Sequence, residues 1–125
     1  MIRWFFLFLA LSNVATACET TGQRLSSETH GAPEIHLVVG DIPLAQPFSL
    51  QISICDEIAV DTVRVDAIMP AHRHGLNYAP EITELGDGLY RADGLLFHMP
   101  GLWEIRFEIG FNDKSVSYTS EVDLK

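Results

Sequence analysis

The sequence predicts an all-β fold, a sandwich of about seven antiparallel strands, and three observations carry that prediction. From Ile35 onward apolar residues recur in short runs with a period of two, the pattern of strands with one buried face. Turn-forming residues punctuate the runs at Gly40-Asp41, Pro43, Pro47, Gly86-Asp87-Gly88 and Asn112-Asp113. No stretch carries the 3.6-residue period of an amphipathic helix.

Ile35, Leu37 and Val39 form the first inward row, and Phe48, Leu50, Ile52 and Ile54 the second. His36 and Cys55 fall on the opposite side of their rows, so His36 is expected to be an exposed strand histidine and Cys55 to point away from the core. Val63, Val65, Ala67 and Met69 make a third row, which Pro70 ends because proline has no amide hydrogen to donate to a ladder. Residues 72–84 lack a clear period and read as a loop crossing between sheets. Leu89 to Ala92 reads as a short strand, and Asp93-Gly94 as a hairpin turn. Leu95, Phe97 and Met99 are in phase with each other, with Leu96 and His98 on the other side. Trp103, Ile105, Phe107 and Ile109 alternate with charged residues, and Val116, Tyr118, Val122 and Leu124 form the last row. This strand count and spacing predict an immunoglobulin-like β-sandwich, with Trp103 in its core.

The chain has 125 residues, 47% of them hydrophobic and 20% charged, which suits one globular core. Met1-Ile2-Arg3, the apolar run Trp4 to Leu11 and Ala15-Thr16-Ala17 together read as a signal peptide over residues 1–17. Residues 18–33 hold one large apolar residue, Leu25, and read as a flexible leader or tether in which His30 is solvated. Residues 34–125 form the sandwich domain. Loss of residues 1–17, whose one charged residue is Arg3, takes the net charge from −9 to −10. Such an acidic surface repels phosphate backbones and excludes nucleic acid as a natural partner.

Cys18, directly after the small residues, leaves its fate open. Ala15-Thr16-Ala17-Cys18 reads as an imperfect lipobox, which would make the protein a lipoprotein with a lipid anchor at Cys18 and no other hold on a membrane. Alternatively Cys18 pairs with Cys55 in an oxidising compartment, or both thiols stay unpaired. All of these place the protein outside the cytoplasm, in the periplasm or cell envelope.

Three of the five histidines and two of the three methionines lie in two short segments, Ile68 to Tyr78 and Phe97 to Gly101. Imidazole and thioether donors together suit a soft metal, and thioether sulfur favours Cu(I) over zinc. His72 and His74 are two apart, a spacing that in extended backbone sends both rings to one side. The candidate metal ligands are therefore His72, His74, His98, Met69 and Met99, with one of His98 and Met99 expected to face away if their strand stays regular. Nucleophile-elbow, phosphate-loop and four-cysteine zinc patterns are absent from the sequence, so no enzyme is expected.

The stretch Met69-Pro70-Ala71-His72-Arg73-His74-Gly75-Leu76-Asn77-Tyr78, followed by Gly-Asp-Gly-Leu-Tyr-Arg-Ala-Asp-Gly-Leu-Leu-Phe-His-Met-Pro-Gly-Leu-Trp-Glu-Ile at 86–105, resembles the YtkA-like domain family. That family is related to the periplasmic part of FixH-type proteins of cytochrome oxidase maturation. The resemblance covers roughly residues 35–124. It implies an immunoglobulin-like fold outside the cytoplasm and an association with copper or with respiratory cytochromes, and it implies no reaction. Two functions follow as expectations. The first is an exported copper-binding protein, a chaperone or a sequestering protein, whose partner is a copper-receiving or respiratory periplasmic protein. The second is a metal-free periplasmic interaction module that docks on a cytochrome or membrane complex, with Tyr78 and Tyr90 as anchors.

Overall fold

In the computed structural model, which describes Cys18 and residues 20–125, nine strands form two antiparallel sheets among the described residues. In chain order the strands are β1 (Gln23–Leu25), β2 (Ile35–Val39), β3 (Phe48–Ile54), β4 (Thr62–Met69), β5 (His74–Gly75), β6 (Glu81–Gly86), β7 (Leu89–Leu95), β8 (Gly101–Phe111) and β9 (Lys114–Leu124). One sheet has the order β1-β2-β3-β7-β6 and the other β5-β4-β8-β9. The expected signal peptide, residues 1–17, lies outside the described residues.

The inward rows read from the sequence are the ones that pack. Trp103, Ile105, Phe107 and Ile109 of β8 are fully buried while Arg106 and Glu108 stay exposed, and Val116 and Tyr118 of β9 are buried across from Ile109 and Phe107. Burying each such side chain contributes about 1.5–3 kcal/mol. The β8–β9 hairpin turns at Asn112-Asp113, and both residues take positive φ (47° and 57°), as a two-residue turn matched to strand twist requires.

Three strands, β1, β5 and β6, form outside the expected seven, while the expected Leu89–Ala92 strand runs on to Leu95 as β7 and the Leu95, Phe97 and Met99 row makes no strand of its own. β5 lies in the expected loop over residues 72–84 and β6 begins there, where Ile82 and Thr83 are only half-buried and give little periodic signal. β1 forms inside the expected flexible leader: Gln23, Arg24 and Leu25 pair with Leu37, His36 and Ile35. Leu25 and Pro33 are buried, and the Tyr118 hydroxyl donates to the Pro33 carbonyl, so the leader is packed onto the domain. Asp93-Gly94 is not a hairpin turn either. β7 runs through it to Leu95, and Gly94, at φ 84°, lies where the β3–β7 register shifts between Phe48 and Leu50. The turn belongs instead to Gly86-Asp87-Gly88, between β6 and β7.

An aromatic column fills one end of the sandwich. Phe48 meets Phe97 edge-on at 4.9 Å, and Phe97 stacks on Trp103 at 4.4 Å with only 6° between the planes. Such ring pairs add about 0.5–1.5 kcal/mol beyond burial.

Candidate functional site

The aromatic column continues outward into histidines. The His98 ring stands edge-on to Trp103 at 5.6 Å, His74 stands edge-on to His98 at 6.1 Å, and His72 lies 6.4 Å from His74. Six rings thus run from the interior to the surface at one pole of the sandwich, where β4 ends, β5 begins and the segment between β7 and β8 turns.

Local chain chemistry builds this pole. β4 stops at Met69 because Pro70 follows, and a tight turn closed by His72 N–H donating to the Met69 carbonyl (3.2 Å) brings the chain back. Arg73 takes positive φ (53°), so the His72–His74 backbone is a turn and not the extended segment its spacing suggested. His74 then becomes the direct antiparallel partner of Met69. Cross-strand partners share a sheet face with Cβ atoms about 5 Å apart, so the Met69 thioether lies on the same side as the His74 imidazole. Met69 itself is 2% exposed and packs in the core. Gly101 makes room for it: at φ 124° this residue carries no side chain, and a Cβ there would stand 2.9 Å from Met69 Cε.

His72 and His74 are exposed and His98 is half-buried, with its Nδ1 buried and without a hydrogen-bond partner. Met99 is half-buried against the core, and its carbonyl accepts the Trp103 Nε1–H at 2.9 Å. Of the five expected ligands, His72, His74, His98 and Met69 gather at this pole by ring contact or strand pairing, while Met99 packs against the core and is tied to Trp103 through its carbonyl. Two imidazoles bound to one ion at about 2 Å put their centroids roughly 5–6 Å apart, just inside the spacings found here. The three rings do not offer a ready-made trio of nitrogens. Small rotations of the exposed His72 and His74 side chains are needed to close on an ion.

The opposite pole holds a group that the sequence reading passed over. Cys18 and Cys55 form a disulfide with Cα atoms 5.1 Å apart. Among the described residues, the one trio of His, Cys, Asp or Glu whose donor atoms lie within 4.8 Å of one another is Glu34, His36 and Cys55. His36 Nε2 and Glu34 Oε1 are 2.7 Å apart, and Arg24 reaches Glu34 Oε2 at 3.4 Å. The His36 hydrogen bond first, and the Arg24 charge second, hold the Glu34 carboxyl below the usual carboxylate range. His36 is 7% exposed, contrary to the exposed strand position expected for it. The cause is the leader: β1 makes β2 an interior strand, Arg24 and Ser53 flank His36, and the Cys18 sulfur lies 3.9 Å from Ser53 Oγ. The missed signal was Glu34-x-His36, two residues that a strand sends to one face beside Cys55.

The disulfide uses the sulfur that a lipid anchor would need, so of the alternatives left open for Cys18 the structure takes pairing with Cys55. Tyr90 is buried and is no surface anchor, whereas Tyr78 is 82% exposed. No protein-family model, curated protein or solved structure matches this chain.

Proposed function

We propose that this protein is an exported copper-binding protein that holds Cu(I) at the histidine pole, for delivery to a recipient or for sequestration. The observation that carries the reading is the position of His74, which has His72 and His98 as ring neighbours at 6.4 and 6.1 Å and the methionine Met69 as its strand partner. His72 and His74 serve as primary ligands, and His98 with Met69 or Met99 completes the set. Imidazole and thioether together suit Cu(I), and the unpartnered Nδ1 of His98 supports a ligand role for that ring. A disulfide within the domain supports a location in an oxidising compartment, the periplasm or cell envelope. The role is binding and not catalysis, because the primary donors stand on an exposed turn, and the partner is a copper-receiving or respiratory periplasmic protein.

Competition titration with a Cu(I) chelator tests this. Wild-type protein binds one equivalent, and the double variant His72→Ala/His74→Ala loses that binding while keeping its β-sheet circular dichroism. Unchanged Cu(I) binding in the double variant refutes the assignment. One observation favours a second reading, docking without metal: Tyr78 and Leu102 are exposed large apolar residues. Thermal unfolding separates the two, since a metal that binds only the folded state must raise the melting temperature by mass action. No shift with Cu(I), Cu(II) or Zn2+ favours docking.

A further inference from the structure

We propose that reducing the Cys18–Cys55 disulfide opens a second metal site, in which the two thiolates, His36 and Glu34 hold one Zn2+ ion. The proposal is independent of copper binding at the histidine pole. The two poles are separated by the length of β7: Leu89, at its start, pairs with Ser53 beside the disulfide, and His98 lies beyond its last residue, Leu95. Seven residues of strand span roughly 20 Å.

Three observations assign the site. The Glu34 carboxylate, one His36 nitrogen and the Cys55 sulfur already lie within 4.8 Å of one another. Thiolate, imidazole and carboxylate bound tetrahedrally to zinc stand about 3–4 Å apart, so small rotamer changes close the set. The disulfide places Cys18 against Cys55 with Cα atoms 5.1 Å apart, and the β1–β2 pairing that begins at Gln23 tethers Cys18 within reach of Cys55 once the bond is cut. His36 is the independent indicator. It is more than nine-tenths buried, its Nε2 is engaged by Glu34 and its Nδ1 has no partner at all, an unusual state for a buried polar atom. Arg24 sits on Glu34 Oε2 and leaves Oε1 as the donor that faces the cluster.

In the oxidised protein both sulfurs are spent on each other and neither is a thiolate. A trialkylphosphine cleaves the bond, consuming one water and giving two thiols and the phosphine oxide. Zn2+ then displaces one proton from each thiol, and the ion is held by two thiolates, one imidazole and one carboxylate. The site is thereby gated by the redox state of its own ligands.

Co2+ is the probe, because its thiolate charge-transfer band reports sulfur ligation and is blind to the histidine pole. The oxidised protein shows no such band with Co2+. The phosphine-reduced protein shows it together with the visible bands of tetrahedral cobalt, and one equivalent of Zn2+ abolishes both. Cys18→Ser, kept reduced, shows a weaker band from the single Cys55 thiolate. In the reduced protein His36→Gln weakens Zn2+ binding by at least the roughly 10–100-fold lost when a ligand's outer partner is removed. Absence of the band in reduced protein, or His36→Gln binding as tightly as wild type, overturns the proposal. Should reduction unfold the chain, Zn2+ alone must restore its β-sheet circular dichroism, and failure to do so overturns it equally.

Discussion

Replacing both bridged cysteines, Cys18→Ser with Cys55→Ser, tests how far the leader is part of the fold. The bridge spans a sequence separation of 37. In the loop-entropy description, closing a loop of that length removes about 13 cal/mol/K from the unfolded chain, or about 4 kcal/mol at 25 °C. Domains of this size are stable by roughly 5–15 kcal/mol, so the loss takes a large share of the total. At about 4–8 °C per kcal/mol it lowers the melting temperature by roughly 15–30 °C. Guanidinium unfolding followed by Trp103 fluorescence gives the number directly. Trp103 is the only tryptophan in the described chain and is fully buried, so its emission shifts when the core opens. The denaturant slope carries a second reading. If β1 and the segment to Pro33 detach in the serine variant, less surface is exposed on global unfolding and the slope falls with the midpoint. A stability loss under about 1 kcal/mol with an unchanged slope refutes the view that the bridge holds the leader; it would mean that Leu25, Pro33 and Tyr118 suffice.

Three further outcomes follow from the same geometry. Tyr118 donates its hydroxyl to the Pro33 carbonyl, and burial first, with the Asp56 charge second, pushes its phenol up to about 12 from 10.0. A raised folded value means that its stabilisation is intact below pH 10 and is lost as the pH climbs from 10 to 12, so Tyr118→Phe flattens the alkaline limb of a stability–pH curve and costs about 0.5–1.5 kcal/mol at neutral pH. Gly101→Ala forces a side chain into φ 124° and against Met69 Cε, which lowers stability by about 1–3 kcal/mol and weakens Cu(I) affinity in the same titration. If the proposed copper site is right, copper held by His98, whose ring lies 5.6 Å from that of Trp103, quenches Trp103 emission, and His98→Ala reduces the quenching without shifting the emission of the apoprotein.

Legibility in the sequence tracked how much each residue's position depends on its own strand. The rows from Phe48 to Ile54, Val63 to Met69 and Trp103 to Ile109 alternate strictly, and each packs inward as read, because a period of two leaves one buried face and no other choice. Both ends of the Met69–His74 turn were legible through Pro70 and Gly75, but the pairing of Met69 with His74 rests on the left-handed Arg73, which carries no glycine signal. His36 was misplaced for a different reason. Its own strand turns it away from the core, and only the return of a polar leader, fixed by a bridge to Cys55, buries it. No local pattern in Gln23-Arg24-Leu25 announces a strand, since its pairing with β2 and the disulfide supply what three residues of propensity cannot.

The two proposed sites differ in how their donors are held. At the histidine pole Met69 is packed in the core and given room by Gly101, and His98 is half-buried against Trp103. His72 and His74 stand on an exposed turn and, in the proposed copper site, rotate inward to close on the ion. Ordering two exposed side chains costs about 0.5–1.5 kcal/mol each, a charge against affinity that a preassembled cage does not carry. The same exposure lets a donor from a recipient enter before the first imidazole leaves, so exchange proceeds without a free ion. Loose closure and open access therefore favour delivery over storage for the proposed copper site. At the disulfide pole the imidazole is buried and already oriented by Glu34, and what limits metal is the oxidation state of sulfur. A site of that construction holds its ion firmly once opened, and in an oxidising compartment it stays closed.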